Sequence, residues 1–285
     1  MSAILAVLLV VYSFTIIFSI YFVLVSAFKT IQDFDKNFIG LPTEFTFSNI
    51  KTILEANIAD ADKFSTMKRF GKVISKMYLP TVFLNTILYS IGSAFFAALV
   101  PCLTAYFVAK YNYKFSKIMY GTVVVVLVVP IIGNLPATYK KLHALNLYDR
   151  IIGSYITKAN FVNMWFLVFY AAFKSVPNDY MEAAYIDGAS EFRVMTTVML
   201  PLVRTAFMTV VLIFFVDLWN DYQTPALFLP SHPTLAYMIR VYSGTYKKVI
   251  IEMAACTVMI VPTLLVFVIF RDKLMGNITM GGIKG

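Results

Sequence analysis

The sequence has few of the residues from which catalytic and metal sites are built, with two histidines and two cysteines among 285 residues. His143 and His232 lie far apart, and neither has other metal-ligating residues beside it, so no metal site is predicted. No HExxH motif, histidine pair or Ser-His-Asp set can be assembled from them, so no catalytic residue is predicted either. Cys102 and Cys256 lie inside apolar runs, which indicates buried thiols and not a disulfide.

Acidic residues are also scarce, with 15 Asp and Glu against 24 Lys and Arg and a formal net charge of +9. The basic residues are scattered over the loops, which argues against a nucleic-acid partner. Apolar residues, in contrast, are abundant. They make up 60% of the chain, well above the roughly 45–50% of an ordinary soluble domain, and the mean hydropathy is +0.76. This composition predicts a protein of the lipid bilayer.

Six apolar runs approach or exceed the roughly 20 residues that a helix needs to span the hydrocarbon. They are Ala3 to Phe28, Thr81 to Ala109, Ile118 to Ala137, Ile151 to Phe173, Thr205 to Leu229 and Met253 to Phe270. The first has no basic segment before it and no small-residue cleavage site after it, so it indicates a retained span and not a signal peptide. The predicted fold is an all-α integral membrane protein with six transmembrane helices and both termini on one side.

The polar segment Ser175 to Arg204, between the fourth and fifth runs, predicts a helix, a turn and a second helix. Pro177 lacks an N–H group and suits a first helical turn, where that group would have no partner. Asp187-Gly188 is a typical turn pair, and Ser190 can cap the second helix.

This segment also carries an ordered pattern of EAA, two residues, DGA and, later, LP. Its members are Glu182, Ala183, Ala184, Asp187, Gly188, Ala189, Leu200 and Pro201. The pattern resembles the EAA loop of ABC-importer permeases, a cytoplasmic coupling helix that docks into a cleft on the ATPase subunit. The resemblance implies that these eight residues couple the chain to an ATPase. The family pattern often has a proline shortly after LP, where this chain has Thr205.

A second group of polar residues, Trp219-Asn220-Asp221, lies in the fifth run. A carboxylate in hydrocarbon costs at least about 2.5 kcal/mol and therefore usually faces a cavity or a partner. Indole faces stack on sugar rings, and Asp and Asn bind hydroxyls. The alternatives are an aromatic belt at the outer interface and packing against a second permease. The triplet resembles one at the same place in maltose-type sugar permeases, and with Asn163 it forms the candidate substrate path.

The last run and the small-residue tail that ends at Gly285 also resemble the maltose-type branch. The resemblance implies a type I ABC importer permease in the bacterial plasma membrane, multi-pass, with both termini cytoplasmic. Residues 1–28 would be the first transmembrane helix, 29–80 an extracytoplasmic loop, and 81–285 a five-helix core with coupling loop 175–204 and cytoplasmic tail 271–285. Basic residues are fewer on the coupling-loop side, so the positive-inside rule alone would invert this orientation.

The resemblance further implies import of a carbohydrate, in particular an oligosaccharide, by alternating access. The implied partners are a second homologous permease, two ATPase subunits and an extracytoplasmic solute-binding protein. Gly276 and Gly281 have the spacing of a Walker loop, but Gly282 stands where that loop needs Lys. ATP and Mg are therefore expected on the ATPase subunits, with no cofactor and no enzyme activity on this chain. The alternatives are an ABC permease for a solute such as a polyamine or phosphate, and a secondary transporter, which would normally show repeats.

Overall fold

The structure is a computed structural model that describes residues 2–55, 68–69, 72–73, 78–129, 133–246 and 249–278. Within these ranges every regular element is a helix except one short antiparallel pair, Lys68–Arg69 with Lys72–Val73. The predicted all-α class is confirmed. Most of the second half of the expected outer loop and the tail residues 279–285 lie outside the described residues.

The described helices are, in chain order, α1 Ser2–Ala27, α2 Ile31–Lys36, α3 Ser48–Glu55, α4 Leu79–Lys110, α5 Lys114–Val128, α6 Leu135–Ala144, α7 Ile151–Lys158, α8 Met164–Ser175, α9 Asp179–Ile186, α10 Glu191–Leu202, α11 Arg204–Trp219, α12 Gln223–Phe228, α13 Leu235–Tyr246 and α14 Val249–Ile278. The middle of α10, Val194–Met199, is wound as a π-helix.

Among the described residues, two helices are long and apolar enough to cross a membrane, namely the Ile4–Ala27 part of α1 and all of α4. They agree with the first two expected spans. Helices α10 and α11 qualify together as a third, bent by 73°. The sixth expected run, Met253 to Phe270, lies within α14, which is one helix from Val249 to Ile278. The expected count of six spans is therefore not confirmed.

The fourth expected span is two helices and not one. Helix α7 ends at Lys158, and α8 begins at Met164. The side chain of Asn163 accepts hydrogen bonds from the amides of Trp165 at 3.0 Å and Phe166 at 3.3 Å, which caps α8. Because an N-cap residue has a non-helical backbone, this asparagine starts a new helix instead of continuing the previous one.

The third and fifth expected spans are also interrupted. Helix α5 ends at Val128, before the expected end of the third span at Ala137. Helix α11 ends at Trp219, and the carboxylate of Asp221 accepts a hydrogen bond from the amide of Thr224 at 3.0 Å at the start of α12. In the fourth and fifth runs, the side chains of Asn163 and Asp221 satisfy backbone amides at the break, which explains why each of these apolar runs is not one helix.

The chain divides into two compact units, of which the first comprises residues 1–85 and 233–266. After α1, the buried ammonium of Lys29 donates to the carbonyl of Phe38 at 3.2 Å. The carboxylate of Asp33 accepts from the amide and hydroxyl of Thr43 at 2.9 and 2.8 Å, and the hydroxyl contact in particular holds the pKa of Asp33 below its usual value. Ile53 is buried, whereas Phe45 and Phe47 are exposed, so only part of the described segment of the expected outer loop is packed.

The second unit comprises residues 86–232 and 267–285. Its main apolar cluster is formed by small residues of α4, such as Ala98 and Ala105, together with Phe166, Phe169 and Phe173 of α8. The three phenylalanines recur at helical spacing and form one face. In a membrane, where lipid is as apolar as the protein core, small residues allow close van der Waals packing of helices. Met181, Val194 and Met199, from the segment between α8 and α11, also belong to this cluster, so the segment is packed against the core.

Candidate functional site

The pattern EAA, two residues, DGA corresponds to the C-terminal end of α9. Gly188 has a φ of +78°, its amide donates to the carbonyl of Tyr185 at 3.0 Å, and the amide of Ala189 donates to the carbonyl of Ala184 at 3.0 Å. These two bonds and the left-handed residue form a Schellman motif. The spacing of the sequence pattern therefore has a local structural cause, because the motif needs a residue like glycine at this position.

The inner side of this loop is attached to the core of the second unit. Met181 is buried, and Ala184 and Ala189 are half-buried against the apolar cluster that includes Phe173 and Val194. In the Schellman motif, Ala184 and Ala189 occupy the two positions between which an apolar contact is common. The second alanine of EAA and the alanine of DGA therefore help to fix the loop to the rest of the unit.

The outer side of the loop is exposed. Glu182, Ala183 and Asp187 point away from the core, and Ile186 is 86% exposed. Phe192, near the start of α10, is 71% exposed. Large apolar side chains exposed close to carboxylates are candidates for contact with another protein.

Helix α10 begins at the expected cap, Ser190, and continues one residue past Pro201 to Leu202. The hydroxyl of Ser190 accepts a hydrogen bond from the amide of Arg193 at 3.4 Å. Near the other end, the amide of Leu200 bonds to the carbonyl of Met195, five residues earlier, just before Pro201. Proline lacks an amide proton and crowds the carbonyl four residues before it. The wider π turn accommodates this crowding, and the chain bends by 73° before α11.

Two residues at the end of α4 hold the start of the loop. The ammonium of Lys110 donates to the carbonyl of Val176 at 2.5 Å and to the side-chain oxygen of Asn178 at 3.0 Å. The hydroxyls of Tyr111 and Tyr185 are 3.3 Å apart. This contact is the main reason why the pKa of Tyr185 is raised to about 12, while burial is the main reason why that of Tyr111 is raised to about 12. Both phenols are therefore neutral at physiological pH.

The predicted substrate-path residues have different surroundings. Trp219 is 2% exposed and lies 5.5 Å from the ring of Phe215. Asn220 is exposed, and its amide nitrogen donates to the carbonyl of Val216 at 2.8 Å. Asn163 is half-buried in the turn that caps α8. The side chains of Trp219 and Asn220 thus differ sharply in exposure.

Asp221 forms hydrogen bonds and an ion pair with other parts of the chain. One carboxylate oxygen accepts a hydrogen bond of 2.7 Å from the hydroxyl of Tyr89 and lies 3.6 Å from the ammonium of Lys158, and the other accepts from the amide of Thr224 at 3.0 Å. The partners come from α4, α7 and α12. The carboxylate therefore joins three elements of the second unit.

Residues 102–278, more than half of the chain, match the family described as "Binding-protein-dependent transport system inner membrane component". The chain belongs to this family. The predicted family is thereby confirmed, and the chain is a transport permease component of a membrane.

Individual relatives cover almost the whole of this permease. "Probable starch degradation products transport system permease protein AmyC" of Thermoanaerobacterium thermosulfurigenes is 27% identical over 93% of this chain and 90% of its own length. "Diacetylchitobiose uptake system permease protein NgcG" of Streptomyces coelicolor is 27% identical over 96% and 86%. A solved bacterial ABC transporter involved in the import of the acidic polysaccharide alginate has the same fold, with a TM-score of 0.73, 19% identity and 95% coverage of both chains.

Sequence reasoning missed three contributors to these sites in the permease. Lys110 and Lys158 are the cationic partners of the loop and of Asp221, respectively, and Ile186 is the most exposed apolar residue on the outer side of the loop between α8 and α10. A signal for Lys158 existed, because charged residues of opposite sign in apolar runs of a membrane protein tend to pair. No comparable signal identifies Lys110, whose partners are main-chain and amide oxygens.

Proposed function

We propose that this permease is one of two membrane subunits of an ATP-driven importer that moves a carbohydrate across the plasma membrane. Membership of a binding-protein-dependent transport family supports the transport role. Support for a carbohydrate, in particular an oligosaccharide, comes from relatives that are named for starch degradation products and for diacetylchitobiose.

The observation that carries the coupling role is the two-sided structure of the loop between α8 and α10. Its inner residues Met181 and Ala184 pack against the core, while Glu182, Ile186 and Asp187 are exposed. Because the inner residues fix this surface to the core, a displacement of the surface by a partner would move the attached helices as well. We assign this outer side to the ATPase, together with the predicted Ala183, Gly188, Ala189, Leu200 and Pro201, which shape or adjoin it.

The proposed mechanism is alternating access. ATP binding closes two ATPase subunits, the loops of the two permeases move together, and rigid-body rocking of the spans turns the cavity from one face to the other. A solute-binding protein delivers the carbohydrate from outside, and ATP with its Mg is held by the ATPase subunits. The proposed topology has six spans, some of them broken, and both termini in the cytoplasm.

Among the predicted path residues, Asn220 suits sugar contact best, because it is exposed and its side-chain oxygen can accept from a hydroxyl. Trp219 is buried and would stabilise the path by packing and not by contact with the sugar. Asp221 would act through its neighbours, since its oxygens already bind Tyr89, Lys158 and Thr224. Asn163 would keep the turn before α8 in place.

The test of this function is uptake into proteoliposomes that contain the permease with the partners that co-purify with it in mild detergent. Labelled maltooligosaccharides should accumulate only when ATP and the solute-binding protein are both present. Uptake driven by an ion gradient without ATP would instead indicate a secondary transporter. Uptake of a polyamine or phosphate in place of the sugar would indicate an ABC permease for a different solute.

The docking surface has its own test. Ile186→Cys should form a cross-link to the ATPase subunit, because Ile186 is the exposed apolar residue beside the turn. Ile152→Cys, at an exposed position of α7 outside the loop, is the matched control and should not cross-link. Labelling of the thiol introduced by Ile186→Cys from outside intact cells would contradict the proposed topology.

A further inference from the structure

A small polar pocket of about 240 Å³ lies where α4 and α8 end and α5 begins. Two lysines line it, Lys117 in the first turn of α5 and Lys174 in the last turn of α8. Asn112 and Ser116 line it as well. The rings of Tyr120 and Tyr170, whose centroids are 4.7 Å apart, also face it. The two lysines can only donate hydrogen bonds, whereas the asparagine, serine and tyrosine side chains can donate or accept.

No carboxylate lines this pocket, and neither Lys117 nor Lys174 forms an ion pair with an acidic residue in the described part of the chain. Glu191 interacts electrostatically with Tyr111 but lines an adjoining cavity. Lys174 lies 5.7 Å from the ring centroid of Tyr170 and is repelled by nearby Lys110. The site is therefore a concentration of positive charge that an anion would relieve.

The beginning of α5 adds to this charge. The helix starts without a side-chain cap, and its first turn has no acidic residue. A cation such as Lys174 at the end of α8 is favoured by the helix dipole, but Lys117 at the start of α5 is not. An anion beside Lys117 would neutralise the lysine and would also be attracted to the positive end of α5.

We propose that this pocket binds the phosphate headgroup of an anionic phospholipid, with the phosphate between Lys117 and Lys174. The chain is an inner membrane component, so lipid phosphate is its most abundant neighbouring anion. Basic pockets between the ends of membrane helices suit such headgroups, and tyrosines are favoured at headgroup depth. Lys110 also holds the coupling loop at Val176, so bound lipid would lie beside the start of that loop. The inference rests on the membrane location, not on the carbohydrate.

The test compares the full-length chain in nanodiscs made of phosphatidylcholine alone or with phosphatidylglycerol. Native mass spectrometry should find phosphatidylglycerol retained in preference to phosphatidylcholine. The double variant Lys117→Gln/Lys174→Gln should lose most of this preference, by about 25-fold, because each lysine near an anionic lipid contributes about 1 kcal/mol and 1.4 kcal/mol corresponds to tenfold.

Two control variants test whether the loss of phosphatidylglycerol is specific to the positive charges of the pocket. Lys114→Gln, on the same helix but outside the pocket, should retain phosphatidylglycerol like the wild type, and Lys117→Arg/Lys174→Arg should also retain it. Equal retention by the Gln double variant and the wild type would overturn the proposal. So would displacement of the lipid by millimolar inorganic phosphate, which would indicate a free-ion site. Normal lipid retention with loss of the co-purifying ATPase in the double variant would indicate a protein interface and would likewise overturn it.

Discussion

The ammonium of Lys158 lies 3.6 Å from the carboxylate of Asp221, at a place where both of the apolar runs that contain them are interrupted. The Tyr89 hydroxyl binds the same carboxylate oxygen. In surroundings of low dielectric the two charges are tolerated because they compensate each other. Asp221 therefore has a structural role within its own unit.

Asp221→Asn keeps the shape of the side chain but leaves Lys158 without its counter-charge. We expect this variant to lower the stability of the purified chain by about 1 kcal/mol, near the low end of the effect of stranding a polar partner, because Lys158 is only half-buried. Lys158→Gln alone should also destabilise, and the double variant should be more stable than the sum of the single effects implies. Thermal unfolding in detergent measures this, and strictly additive effects would contradict the ion pair.

Asn220→Leu distinguishes contact with the sugar from a structural role. The side chain is exposed, so the variant should insert and assemble normally and yet lose sugar uptake. Gln223→Leu, at another exposed position three residues further on, is the matched control and should transport normally. Gel filtration measures assembly of the complex, and an uptake assay measures transport. A complex that dissociates in detergent would place Asn220 at the contact between permeases, and wild-type uptake would remove it from the path.

Substitution of Gly188 tests the turn between α9 and α10, which we assign to ATPase coupling. A β-carbon there would have no atom within 4 Å, so any effect of substitution comes from the φ of +78° and not from a steric clash. Left-handed backbone costs an ordinary residue about 1–2 kcal/mol, and Asn tolerates it better than β-branched residues do. Gly188→Val should therefore impair the coupling of ATP hydrolysis to uptake, and Gly188→Asn much less. Equal coupling in both would remove the requirement for glycine.

The sequence allowed correct prediction of features that depend on neighbouring residues. The turn at Gly188, the cap at Ser190 and the end of α10 near Pro201 are set by local hydrogen bonds and backbone preferences. The ends of the spans were harder to predict. Hydropathy is averaged over many residues, so one polar residue inside an apolar run does not lower it enough to mark a helix end. A single Asn163 or Asp221 can start a new helix inside an apolar run. Contacts such as Lys158 with Asp221 depend on tertiary packing and leave no periodic pattern.

Gly153, in the third position of α7, is predicted to be required by close packing. A β-carbon there would lie 2.4 Å from the main-chain oxygen of Leu147 and 3.1 Å from a methyl carbon of Leu142. Since the first of these atoms belongs to the backbone, rotation of a side chain cannot relieve the overlap. Gly153→Ala should destabilise the purified chain by about 1–3 kcal/mol, the usual effect of overpacking.

Gly121 in α5 is the matched control, because a β-carbon at that position would meet no atom within 4 Å. Gly121→Ala should leave the thermal unfolding temperature unchanged or raise it, since alanine favours a helix over glycine by about 1 kcal/mol. The two variants make the same chemical change in two helices, so the difference between their unfolding temperatures isolates the contact with Leu147. If Gly153→Ala unfolds at the same temperature as Gly121→Ala, α7 does not pack against the turn after α6 as closely as described.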